Sequence, residues 1–455
     1  MIGSAFIGDA QRSLLRRALR AGMPRNAEMA SKLWLVVRVS SGNFLEMYNF
    51  MVFGYYATAI GAAFFPSGNE FPSLMLALMT FGAGFLMRPL GAIVLGAYAD
   101  KHGRRDGLEW ALILMAIGTV LIACVPGYAS IGLVAPLLVL TGRLLQGFSV
   151  GMSLGGVSVY LSEIATPGRK GFYVSWQSAS QQAAVVFAAL LGVVLNASLS
   201  PAAMSRWGWR VPLLMGCAII PFLFRLRRSF EETAEFLAKP RHPTVSDVLR
   251  SLAAHRRIVA IGTMMVTMTT VTFYMITAYT PTFGSAVLKL SHFDSLVVTL
   301  CVGISNLVWL PVMGTLSDRV GRRPLLITCT LMMLISAYPA MQWLVDTPSF
   351  SRLLAVQLWF SFIFATYNGA MVVFLTEMMP VDFRTAGFSL AYSLAAGVFG
   401  GFTPALSTYL IQITGNRAIP GAWLSLAAGC GLIAAMVARA QSDEDASHAT
   451  GRIAA

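Results

Sequence analysis

Charge is what this sequence has least of. Only 12% of its 455 residues are Asp, Glu, Lys or Arg, whereas 56% are hydrophobic. A soluble domain carries roughly a quarter charged residues. Too few charges are available to clothe a water-soluble surface of this size, so the composition is that of a polytopic membrane protein. Cysteine pairs are also lacking. Cys124, Cys217, Cys301, Cys329 and Cys430 are scattered singly in apolar stretches, with no CxxC or Cys/His cluster, which argues against a disulfide framework and a metal site. The five histidines fall in loops, tails or at a span edge. With no HExxH and no nucleophile–base constellation, an enzyme is not expected, and neither is a cofactor. A sensor would need a soluble output domain, and the longest polar stretch is a short central loop. The first 31 residues hold Arg12, Arg16, Arg17, Arg20 and Arg25 but no compact apolar core with a small-residue cleavage site, so they read as a tail rather than a signal peptide.

Long apolar runs are abundant. Stretches able to cross a hydrocarbon core of ~30 Å recur at 33–62, 73–99, 107–125, 131–162, 171–198, 207–226, 257–284, 294–316, 324–345, 352–378, 384–412 and 419–439. The expected fold is all-α, with twelve transmembrane helices in two six-helix halves. Its parts are a tail at 1–31, a first half at 32–226, a central loop at 227–256, a second half at 257–439 and a second tail at 440–455. Of the 33 Lys and Arg, 25 fall in, or within two residues of, the tails, the central loop and the connections after even-numbered spans. The positive-inside rule then puts both termini and the central loop in the cytoplasm. The net charge of +13 is thereby mostly a topology signal, and a nucleic-acid partner is not expected.

The two halves echo one another. GAYADKHGRR at 96–105 recurs as GTLSDRVGRR at 314–323, 218 residues on. VYLSEIATPGRKG at 159–171 pairs with VFLTEMMPVDFRTAG at 373–387, setting Glu163 against Glu377. Two echoes at nearly one offset indicate duplication, and repeats of this kind bracket a central binding cavity in secondary transporters. Asp100, Arg104, Asp318 and Arg322, with Glu163 and Glu377, lie at helix ends where a carboxylate can meet an arginine or a helix N-terminus. They are expected to form a conformational latch.

These motifs, with RLLQGFSVG at 143–151, resemble the major facilitator superfamily. GNFLEMYNF at 42–50, GFLMRPLGAIVLGAYAD at 84–100, YLSEIATPGRKGF at 160–172 and WQSASQQ at 176–182 are similar to its metabolite:proton symporter family, and most like the citrate and tricarballylate transporters within it. The resemblance runs from about residue 32 to 438. It implies the major facilitator fold, a bacterial inner-membrane location, a carboxylate substrate moved by alternating access, and H+ as coupling ion. The chain is expected to work as a monomer in the lipid bilayer. Another carboxylate or a zwitterionic metabolite, or an uncoupled facilitator or exchanger, is the alternative.

Three ionisable residues lie deep inside spans: Glu46, Arg88 and Arg143. Such residues are functional candidates by default. Glu46 and Arg88 each lie about 20 Å from the cytoplasmic boundary, so they share a level. A guanidinium stays protonated when partly desolvated and binds a carboxylate with a two-pronged fork, which suits Arg88 and Arg143 to a multiply charged anion. The cavity also has Tyr274, Asn306, Tyr392 and Ser393 as candidates, but Asn43, Gln181, Gln182, Tyr279 and Asn368 are the preferred substrate contacts. Members of the resembled family usually carry an acid where this chain has Asn49, and commonly a glutamate where it has Ser153. Neither residue here can titrate, which leaves Glu46 as the candidate for proton coupling.

Overall fold

A computed structural model describes residues 43–102, 104–151, 153–227, 250, 254–380 and 384–438. Twelve helical spans run through these residues, and no strand occurs among them. Helix α1 covers 43–64, with a turn at Tyr56 before its last piece, Ala57–Phe64. Helix α2 is Glu70–Leu86 continued by Arg88–His102, α3 is Arg104–Cys124, and α4 is Val134–Val150 followed by Ser153–Glu163. Next come α5 (Lys170–Ser198) and α6 (Arg210–Arg227). The second half has α7 (Arg256–Val287), α8 (His292–Val320), α9 (Arg322–Asp346), α10 (Phe350–Met378), α11 (Arg384–Thr414) and α12 (Ile419–Val437). Eight of these helices are long and apolar enough to cross a membrane, and the apolar parts of α3, α4 and α6 are shorter. Observed ends lie within a few residues of the expected spans; 33–42 lies outside the described residues.

Helix starts follow local chemistry. Asn69 caps α2, Ser291 caps α8 and Ser349 caps α10, each side chain accepting a backbone N–H of the first turn. Four turns have π-helical hydrogen bonding: Met204–Gly208 ahead of α6, Met275–Tyr279 and Phe283–Val287 in α7, and Ala396–Gly400 in α11. Large apolar side chains such as Leu137, Ile335, Leu426 and Ile433 point outward, where lipid would meet them. Polar residues turn inward, including Asn43, Asn49, Thr119, Gln146, Asn306, Gln357 and Asn368. That inversion of the soluble pattern suits a chain whose solvent is hydrocarbon. The five cysteines are all unpaired.

Helices α2 and α4 run side by side with backbones in contact. A Cβ on Gly147 would overlap the carbonyl of Gly84, and one on Gly151 would overlap the carbonyl of Arg88. One turn earlier, Gly84 sits against the carbonyl of Arg143, which a Cβ would approach to 2.9 Å. Small residues at this seam therefore bring Arg88 and Arg143 to neighbouring positions, as expected where membrane helices pack without a hydrophobic drive. Replacing Gly147 by valine is expected to force the seam apart. Overpacking costs about 1–3 kcal/mol, so a drop in melting temperature of several degrees should appear in a thermal-shift assay of the detergent-solubilised protein.

The halves touch at several levels. At the end bearing the basic loops, Gly171 of α5 faces Gly314 of α8, and a Cβ on either would collide with the other's carbonyl. Near mid-helix, Gly303 of α8 lies against Val185 and Val186 of α5. Gly82, Phe85 and Gly397 to Phe402 bring α2 against α11. At the opposite end, Gly54 of α1 meets Ala278 of α7, the Tyr56 ring lies 5.8 Å from His292, and Gly192 meets Leu296. The two halves thus meet at both ends of the bundle.

Candidate functional site

The two intramembrane arginines converge in a cradle of aromatic rings. Arg88 is 2% exposed and Arg143 is fully buried. The Arg88 guanidinium carbon lies 4.1 Å from the Phe85 ring centre and 4.8 Å from that of Phe50. Arg143 lies 4.2 Å from Phe50, 4.5 Å from Phe53 and 5.2 Å from Phe81. Phe50 thus sits within reach of both cations, and the negative ring faces offset part of their desolvation. The second half closes the cradle with Tyr274 of α7. Its ring is 4.9 Å from Phe85 and 6.1 Å from Phe81, so it packs on the same Phe85 ring that Arg88 contacts.

Hydrogen bonding leaves the arginines partly unsatisfied. Arg143 Nη1 donates to Gln146 Oε1 at 2.9 Å, whereas its Nε and Nη2 have no partner, and Arg88 Nε has none either. Buried donors are costly to leave unpaired, and charged ones more so. Two adjacent cations with spare N–H groups, walled by rings, form a site chemically suited to an anion with several carboxylates. Among the described residues no ion pair joins Glu46 to Arg88. Glu46 is 7% exposed, one turn from Phe50.

The other expected contacts scatter. Asn43 is buried, with neither amide atom hydrogen-bonded. Gln181 is 7% exposed on α5. Its neighbour Gln182 accepts from Asn306 Nδ2 of the second half at 3.4 Å, and Ser361 donates to Asn306 Oδ1 at 2.8 Å. Tyr279 is engaged within the second half, its hydroxyl 2.8 Å from that of Thr408. Asn368 is buried with its Oδ1 unpartnered. Sequence reasoning ranked Tyr279 above Tyr274, yet Tyr274 is the tyrosine that shares the Phe85 ring with Arg88. It also did not single out Phe50, Phe53, Phe81 and Phe85. Their signal was available: aromatic pairs at i, i+3 and i, i+4 on the two helices nearest the intramembrane charges.

At the basic end, Asp318 joins the halves. Its Oδ1 accepts the backbone N–H of Gly171 at 2.8 Å and its Oδ2 that of Phe172 at 3.1 Å. A side chain of α8 thereby caps the N-terminus of α5, satisfying two orphan donors and meeting the positive end of the helix dipole. Arg322 holds the carboxylate from the other side at 2.8 Å, donates to the carbonyl of Ser317 at 2.6 Å and reaches Glu377 at 3.5 Å. Gly321, at φ 97°, makes the turn that folds Arg322 back. The side chains of Asp100 and Arg104 lie outside the described residues, and Glu163 is exposed.

Known proteins share this plan. Residues 34–246 match the family model "Sugar (and other) transporter", and 295–453 match "Major Facilitator Superfamily". The chain is 59% identical to the citrate-proton symporter of Salmonella typhi over 88% of its length and 92% of the relative's. It is 60% identical to that of Klebsiella pneumoniae, covering 89% and 91%. Identity to the alpha-ketoglutarate permease of Escherichia coli is 32%, over 83% and 87%. Among solved structures, a partially occluded inward-open form of the xylose transporter XylE from E. coli superposes with a TM-score of 0.71. It is 19% identical over 88% of this chain and 95% of that one, a likeness of fold alone. The chain belongs to the major facilitator superfamily, as a membrane transporter and not an enzyme.

Proposed function

We propose that this protein imports citrate together with protons, by alternating access across a bacterial inner membrane. The observation that carries the reading is the pair of buried arginines, Arg88 and Arg143, with N–H donors left over. Similarity to citrate-proton symporters over nearly the whole chain supports both the substrate and the coupling ion. Citrate's carboxylates take the unpaired guanidinium donors, exchanging ring contacts for charge-assisted hydrogen bonds. Asn43, Gln181, Gln182, Tyr279 and Asn368 supply neutral contacts from both halves, and Tyr274 closes the cradle from the second half against Phe85. Glu46 carries the proton.

The basic end faces the cytoplasm, with both termini, and the protein acts as a monomer in the bilayer. The first half, 32–226, rocks against the second, 257–439, about the site. Asp318 with Arg322 and Glu377 holds the cytoplasmic end shut; Asp100, Arg104 and Glu163 are its counterparts in the first half. Contacts of α1 with α7, and of Tyr56 with His292, close the outer end.

Purified protein in liposomes should accumulate labelled citrate when an inward proton gradient is imposed. A protonophore should abolish accumulation, leaving only exchange. Uptake indifferent to the gradient would reject coupling, and failure of unlabelled citrate to compete would reject the substrate.

A further inference from the structure

A chain of hydrogen bonds leads away from Arg143 through two further helices. Gln146 receives Arg143 Nη1 on its Oε1, and its Nε2 donates to Thr119 Oγ1 of α3 at 3.1 Å. The Thr119 hydroxyl donates to the carbonyl of Met115 at 2.8 Å. From α1, Asn49 Nδ2 donates to the same Thr119 oxygen at 3.0 Å. Arg143, Gln146, Thr119 and Asn49 are each no more than 2% exposed.

Chemistry fixes the direction of this chain. A guanidinium only donates, so Gln146 must present its oxygen to Arg143 and its NH2 group to Thr119. A carbonyl only accepts, so the single hydroxyl hydrogen of Thr119 is committed to Met115. Its oxygen then offers lone pairs alone. Any side chain reaching it from position 49 must bring a hydrogen, as an amide does. An ionised carboxylate would set oxygen against oxygen in a buried place.

We propose that Thr119 and Asn49 are positioning residues for Arg143, acting through Gln146 in a one-way hydrogen-bond chain that demands a donor at position 49. The proposal rests on the reading of Arg143 as a citrate ligand. With Gln146 held at both ends, the guanidinium is fixed by Nη1, and Nε and Nη2 remain for substrate. Among the described residues, the titratable and charged groups about position 49 are Glu46 and Tyr48 on α1, Cys217 on α6, and Arg143 at the end of the chain. Tyr48 already donates to the carbonyl of Pro212. Gly216 of α6 closes the remaining side, since a Cβ there would lie 2.6 Å from Asn49 Oδ1.

Citrate uptake by full-length variants in liposomes, measured for KM, Vmax and pH dependence beside melting temperature, tests this. Thr119→Ser keeps the hydroxyl and should stay within about twofold of wild type. Thr119→Val should raise KM about tenfold with Vmax little changed, the scale of one lost buried hydrogen bond. Asn49→Asp donates only while protonated. Its activity relative to wild type should therefore be near normal at acid pH and fall about tenfold as pH rises through its pKa. A wild-type KM in Thr119→Val, or an Asn49→Asp profile parallel to wild type, overturns the proposal. Should Thr119→Val fail to assemble, the Asn49→Asp profile decides alone. Normal uptake by Arg143→Ala would instead reject the underlying site.

Discussion

Alanine at Arg88 or Arg143 should lower citrate uptake at least about 100-fold without unfolding the protein. A hydrogen bond to a charged group contributes about 1.5–3 kcal/mol, and each guanidinium offers a carboxylate two. Losing about 3 kcal/mol corresponds to roughly 100-fold in affinity, because each 1.4 kcal/mol is tenfold. Lysine at either position restores the charge but not the planar fork, so it should recover only part of the activity. Stability separates this role from a purely structural one. Neither arginine has an ion-pair partner among the described residues, and both are buried against rings. Removing such a charge relieves desolvation, so the melting temperature should hold or rise. A structural ion pair would show the reverse, a lower melting temperature with near-normal uptake, and that result would sink the assignment.

The second large effect should come from Asp318→Ala. The carboxylate accepts two backbone N–H groups across the half interface and pairs with Arg322, and its side chain is only 4% exposed. Its removal strands Gly171 N–H, Phe172 N–H and Arg322 together. Losing a helix cap costs about 1 kcal/mol and a buried charged hydrogen bond about 1.5–3 kcal/mol. The closed form of the basic end should lose on the order of 100-fold in population. A cysteine placed in the cytoplasmic half of the cavity would report this as faster labelling, while net uptake falls. Labelling at the wild-type rate would show that the α5–α8 glycine contact alone keeps that end shut. Asp318→Asn should be intermediate: one oxygen still accepts, but the charge is gone.

Residue type announced the membrane plan and hid the site's finish. Spans were legible because a helix needs about 20 apolar residues to cross the bilayer, and few other constraints act on lipid-facing positions. The duplication was legible because GRR and Glu163/Glu377 recur at nearly one offset. Arg88 and Arg143 stood out because charge inside a span is rare. What surrounds them did not. Tyr274 and Tyr279 look alike in sequence, and only the packing of α7 against α2 and α11 puts one on the Phe85 ring beneath Arg88 and the other on Thr408. Asn49 read as a missing acid when taken alone. Beside Thr119, a residue 70 positions away, it is the end of a donor chain whose sense Arg143 dictates. That pairing is non-local and leaves no periodicity to detect.

The π-helical turn at Met275–Tyr279 has a further consequence for how this chain can change by descent. Such a turn bonds i to i+5, so it holds one residue more than the α-helix on either side needs. Deleting that residue would close the turn into ordinary α-helix and leave the segments on both sides in phase, whereas the same deletion in a regular stretch would rotate everything beyond it by about 100°. Tyr279 would stay with Thr408 and Thr282 with the carbonyl of Gly54, as Tyr274 would with the Phe85 ring. Helix α7 thus carries one spare residue, held in the wide turn. Loss of one residue at that turn would therefore spare both the outer closure between the halves and the arginine cradle.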